Sequence, residues 1–142
     1  MQTFLPYRDF DESARCLDYR RLGKQRVECK QILNVLINGA DAWAHHPAVL
    51  MWKGYEATLC LYMEAMVKEW VDRGYKNTLI VPFYEAESIS RYRDPWWLGK
   101  SKFHKSHKSN LLRKQPEHYK QFGWKVATNL DYWWPVTKND PK

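Results

Sequence analysis

Apolar side chains recur at helical spacing over two long stretches of this chain, and that periodicity predicts most of its architecture. In the first stretch Ala14, Leu17, Leu22, Val27, Ile32 and Leu36 fall close to one face of a helix. Asp11 or Ser13 is placed to cap its start, Gly23 interrupts it at some cost, and Asn38-Gly39 ends it. In the second stretch Trp52, Tyr55, Leu59, Tyr62, Met63, Met66 and Trp70 repeat at three- and four-residue steps. Pro47 suits the first turn and Gly74 the position just past the end, which predicts one helix of about 40 Å at 1.5 Å per residue. An aromatic stripe of this kind faces a packed core.

The remainder is less periodic. Residues 1–10 read as an extended segment fixed by Pro6, and residues 40–46 as a polar connection containing Trp43. Thr78-Leu-Ile-Val81 is a short strand or a buried extended segment, and Asp94-Pro-Trp-Trp-Leu-Gly99 a loop. A short helix begins at Ser101 or Ser106 and runs through Arg113. Pro116 stops it and opens another turn that Gly123 closes, and Pro135 and Pro141 argue against helix in the tail. No repeat or linker divides the 142 residues, a length that buries a sizeable core in one domain. The expectation is a mainly α protein: one compact domain over 1–142, about three main helices, extended aromatic-rich loops and a C-terminal tail.

Charge narrows the partners. Twenty-three Lys and Arg against 16 Asp and Glu give +7, which favours a polyanion or an anionic surface and says nothing of fold. Eight Trp are more than usual. Some fill the core, and the rest are available to stack on bases or wedge into a groove. Cys16, Cys29 and Cys60 are odd in number and lack a CxxC pair, so they read as reduced thiols buried on helices of a cytosolic protein. The start of the chain lacks the basic and apolar regions of a signal peptide, and no apolar run is long enough to span a membrane. A cytoplasmic monomer is expected, in a bacterium, near its nucleoid, or in a phage-infected cell.

Two basic regions carry the candidate chemistry. Between Leu17 and Lys30, the cations Arg20, Arg21, Lys24, Arg26 and Lys30 surround one carboxylate, Glu28. A lone carboxylate there repels phosphate unless it does something useful; the plainer reading is a solvated helix face with a Lys24–Glu28 ion pair at i, i+4. The second region, 100–125, holds Lys100, Lys102, Lys105, Lys108, Arg113, Lys114, Lys120 and Lys125 against one acid, Glu117, interleaved with His104, His107, Tyr119 and Trp124. Cations beside aromatic rings suit a surface that tracks phosphates and stacks bases, to which Ser106 and Ser109 can add contacts. His45-His46 and His104-x-x-His107 lack a Cys or carboxylate at ligand spacing, so neither a metal nor another cofactor is expected. No Ser-His-Asp set or Gly-rich phosphate loop is recognisable.

These residues resemble the pyrimidine-dimer DNA glycosylases of the phage endonuclease V type. The block from Leu17 to Glu28 matches that family's Glu-bearing helix without a gap, with Glu28 at the Glu; position 27 is Val where the family has Arg, and Arg26 lies one place earlier. Glu69-Trp-Val-Asp-Arg-Gly-Tyr75 resembles the end of its long helix, and Gln115-Pro-Glu-His-Tyr-Lys-Gln-Phe-Gly123 its Arg-Pro-x-Trp-Tyr-Lys-Tyr-Tyr-Gly segment. His104 and Ser106 loosely match a His-x-x-Ser region. The resemblance implies a three-helix fold and a bifunctional glycosylase and AP lyase acting on damaged or modified pyrimidines in double-stranded DNA. An N-terminal amine would attack C1′ to form a Schiff base, with Glu28 as acid/base, Met1 supplying the amine and Arg26 clamping phosphate. Arg20, Arg21, Lys24 and the basic residues of 102–125, with His107, Tyr119 and Trp124, would position the DNA.

Elementary chemistry is compatible: an α-amine titrates at roughly 7.7–8.0 and is partly unprotonated near neutrality, whereas a lysine at about 10.4 needs its pKa lowered first. Residue 2 is Gln, whose bulk opposes removal of Met1, and about five extra residues precede the Glu-bearing helix. The alternatives are Lys24 or Lys30 as nucleophile, DNA binding without lyase chemistry, and a metal-dependent nuclease built on His104 and His107.

Overall fold

The computed structural model describes residues 1–82 and 92–136. Six α-helices occur among them: α1 Phe10–Cys16, α2 Tyr19–Asn38, α3 Pro47–Leu50, α4 Glu56–Asp72, α5 Ser101–Lys114 and α6 Pro116–Tyr119. A 3₁₀ turn, Lys120–Phe122, follows α6, and no strand occurs among the described residues. The three long helices are α2, α4 and α5, so the mainly α expectation holds.

The first periodic stretch is two helices, not one. Asp9 caps α1, its carboxylate accepting from Glu12 N–H at 2.8 Å, in place of the expected Asp11 or Ser13. The chain breaks at Leu17-Asp18 because Asp18 is held from outside: its N–H donates to Tyr119 Oη at 3.0 Å, and the same hydroxyl donates to its carboxylate. Arg21 completes the junction at 3.1 Å from Asp18. Burial alone would raise the Asp18 pKa, but hydrogen bonds from Tyr119 and Arg21 outweigh it and hold the carboxyl below its ordinary value. Gly39 ends α2 in the left-handed region, as expected.

The second stretch also divides. Pro47 starts α3, Gly54 turns the chain at φ +86°, and α4 begins at Glu56. Five members of the stripe (Trp52, Leu59, Tyr62, Met63, Met66) are buried, as its core reading requires, while Tyr55 and Trp70 are partly buried. They meet Leu22, Cys29, Ile32 and Leu33 of α2, and Trp97 and Phe103 from the later chain. Val27, by contrast, is exposed. Gly23 is a packing position: a Cβ there would lie 3.0 Å from the Trp70 ring. Residues 78–81 form no regular element. Ser101 opens α5, and Gly123 closes the turn after α6 at φ +65°. The three cysteines are buried, free and helical. The expectation for Pro141 lies outside the described residues. No helix among those residues is long and apolar enough to cross a membrane.

Candidate active site

Residues 2–6 are buried without belonging to a helix or a sheet. Buried main-chain groups need partners, and here side chains from three helices supply them. Gln25 of α2, 1% exposed, donates from Nε2 to Gln2 C=O at 3.0 Å and accepts from Phe4 N–H at 2.8 Å. Tyr62 of α4 donates to Phe4 C=O at 2.6 Å. From α5, His104 Nδ1–H donates to Leu5 C=O at 2.7 Å and His107 Nδ1 accepts from Leu5 N–H at 2.9 Å. Trp52 Nε1–H donates to Thr3 Oγ1 at 3.0 Å.

This seating carries the start of the chain to Glu28. Gln2 N–H donates to Glu28 Oε2 at 3.1 Å across 26 residues of sequence, and Gln25 Nε2–H donates to the same oxygen at 3.2 Å. Gln25 and Glu28 are one turn apart and share a helix face. Glu28 is half-buried, as is Met1. His46 lies on another side: burial first, and then the nearby N-terminal amine, lower its pKa. His46 Nδ1 accepts from Ala48 N–H at 3.0 Å, capping α3. Burial pushes the Tyr132 hydroxyl up to about 12, with the Glu28 charge adding to the rise. The site thus combines an amine-bearing chain start, a carboxylate, an imidazole and a phenol.

The other expected residues separate into groups. Arg26 leaves α2 on the side away from Glu28: its guanidinium lies 4.3 Å from the Trp70 ring centroid and donates to Asn77 Oδ1. It is not brought to the Glu28 carboxylate. His107 is fully buried, its pKa lowered to about 3 by desolvation, so DNA cannot reach it in this conformation; it is a clamp on Leu5. His104 uses both ring nitrogens on main chain, Nε2 accepting from Gly99 N–H at 2.9 Å, which leaves the His-x-x-His pair unavailable as a ligand pair. Among the described residues no group of three or more His, Cys, Asp or Glu could hold a metal ion.

Tyr119 is also fully buried and anchors Asp18, so it too is removed from the surface. Trp124 is partly buried, stacked on Tyr119 at 5.6 Å and donating to Tyr7 Oη at 2.8 Å. Lys108 sits 5.0 Å from the Tyr7 ring centroid. Arg113 donates to Thr128 and Leu130 C=O, and Ser109 and Ser106 accept from Leu130 and Trp133 N–H. Those three residues tie down the segment that carries Tyr132, which their expected phosphate contacts had not foreseen. Lys120 pairs with Glu117. Arg20, Lys24, Lys102, Lys105, Lys114 and Lys125 are exposed. They carry no ion pair among the described residues. The expected Lys24–Glu28 pair is absent from those residues, and Lys30 reaches Ile80 C=O at 3.4 Å.

Gln25 and Tyr132 were not anticipated, and His46 entered only as half of a pair weighed for a metal. Gln25 had a signal: it is the polar member of the otherwise apolar buried set Leu22, Cys29, Ile32 and Leu33.

A family model described as pyrimidine dimer DNA glycosylase matches residues 1–82, a span that includes Met1, Gln25, Glu28 and His46. Neither a curated protein nor a solved structure matches the chain.

Proposed function

We propose, because this chain belongs to the pyrimidine dimer DNA glycosylase family, that it releases a damaged or modified pyrimidine from double-stranded DNA and then nicks the strand. The α-amine of Met1 is the nucleophile and Glu28 the acid/base. The observation that carries this reading is the hydrogen bond from Gln2 N–H to Glu28 Oε2 at 3.1 Å, which draws the chain start onto a carboxylate.

The amine lone pair forms the N–C1′ bond as the bond from C1′ to the pyrimidine breaks, and the departing ring nitrogen takes a proton from solvent. Nitrogen then loses a proton, the C1′–O4′ bond opens, and O4′ is protonated, giving the protonated imine. Loss of a C2′ proton expels the 3′ phosphate. Glu28 is suited to carry protons between nitrogen and O4′, because a carboxylate within hydrogen-bond reach of both can accept and return one. Gln25 fixes the carboxylate by donating to it. Lys24, one turn before Glu28, and Arg20 flank the site as phosphate contacts. A second form of this reading has its own support: if Met1 is trimmed, the nitrogen already bonded to Glu28 becomes the free amine of Gln2.

Borohydride trapping on duplex DNA with one abasic site, followed by mapping of the linked peptide, tests the proposal. An adduct at residue 1 is expected, and one at residue 2 selects the trimmed form. An adduct at Lys24 or Lys30 moves the nucleophile, and none removes the Schiff base. Glu28→Gln is expected to abolish nicking with DNA affinity unchanged or higher; full activity would remove Glu28 from the mechanism.

A further inference from the structure

Trp43 is 54% exposed, and its backbone lies at φ +68°, the left-handed region that bulky residues rarely enter. It is the one non-glycine residue with positive φ among those described. Such conformations persist where the surrounding structure imposes them, and they concentrate at ligand-contacting sites. Two turn hydrogen bonds hold this one, Ala44 N–H to Asp41 C=O at 3.1 Å and His46 N–H to Trp43 C=O at 3.0 Å. Nothing in the core requires an indole here, since more than half of it faces solvent.

The ring rests against a row of other rings. His46 meets Trp43 edge-on at 5.7 Å between centroids and meets Trp134 edge-on at 5.6 Å. Trp134 packs on Tyr132 at 5.6 Å, and Tyr132 on Phe4 at 6.3 Å. A continuous row of rings thus runs from the seated chain start, beside Glu28, out to an indole in water. His46 stands next to the indole in this row, and its pKa is lowered by burial and then by the charge of the N-terminal amine.

An amine that attacks C1′ needs the damaged nucleotide displaced from the stack, and apolar wedges hold such gaps open. We propose that Trp43 is a stacking site for an unpaired nucleobase, its ring entering the duplex beside the damaged nucleotide while the amine end of the row meets the sugar. This rests on the reading that the substrate is duplex DNA opened at the Glu28 site. Base–aromatic stacking is independent of sequence, so the wedge reads the weakness of a damaged step rather than a base edge.

The test uses the full chain and a duplex carrying a tetrahydrofuran abasic analogue with 2-aminopurine opposite it. Wild type raises the 2-aminopurine fluorescence on binding. Trp43→Gly loses that rise and slows nicking of a true abasic duplex by about tenfold to a hundredfold, the scale of one lost stack. Glycine tolerates φ +68°, so the variant folds with a melting temperature at or above wild type. Trp43→Phe restores part of the duplex activity. The stacking site is overturned if Trp43→Gly opens the duplex as wild type does, if it nicks the abasic duplex at the wild-type rate, or if wild type gives no fluorescence rise. A wild type that opens the duplex but neither nicks nor traps would sink the lyase reading and leave the stacking site standing.

Discussion

His107 shows how a residue typed for the surface serves the interior. Accepting from Leu5 N–H requires a neutral ring, and burial enforces it by lowering the pKa to about 3. The unfolded chain has an ordinary imidazole near 6.5. Between those two values the unfolded state binds the extra proton, so His107 costs nothing above about pH 6.5 and destabilises progressively as pH falls. Its share is at most about 1.4 kcal/mol per pH unit. Urea midpoints measured at pH 7.5 and pH 5 are expected to drop with acidity. His107→Asn, whose side-chain oxygen can still accept from Leu5, is expected to show a shallower drop; an unchanged slope would place the titration elsewhere.

Among elements, α2 and α4 approach closely where Gly23 faces Trp70. The indole cannot yield easily: Arg26 lies over it, Tyr75 packs on it at 4.3 Å, and its Nε1–H donates to Lys76 C=O at 2.9 Å. Alanine at position 23 gains about 1 kcal/mol of helix propensity and loses about 1–3 kcal/mol to overpacking. Gly23→Ala is therefore expected to destabilise by about 1 kcal/mol, read from urea unfolding, and a stabilised variant would mean that Trp70 moves. Helix existence was legible along the chain because the apolar spacing of α2 and α4 is local information. The breaks were not. The one at Asp18 depends on Tyr119, 101 residues away, and no window around Leu17 contains that hydroxyl. The site was legible in the same partial way. Glu28 stood out as a carboxylate among cations, whereas Gln25, His46 and Tyr132 acquire their meaning only when the first residues fold back between the helices.

For the whole molecule, the exposed cations set a salt dependence. Exposed cations such as Arg20, Lys24, Lys102 and Lys105, without an ion pair among the described residues, release counterions on meeting phosphate, so the logarithm of the DNA association constant should fall linearly with the logarithm of salt concentration. Lys24→Ala is expected to reduce that slope by about 0.9, the value of one phosphate contact. An unchanged slope would take Lys24 off the DNA path. The buried cluster that holds the chain start contributes nothing to this term.

That seating of the chain start has a consequence for how the protein comes into being. Leu5 is bonded to His104 and His107, 99 and 102 residues later. The first residues to be synthesised are therefore among the last to find their partners, since the cost of closing so long a loop must be met before any of those bonds forms. A chain that stops before α5 lacks both histidine partners of Leu5. A protein that cuts DNA by this route would acquire its reactivity only when nearly the whole chain exists, so fragments released early would be harmless to the genome they touch.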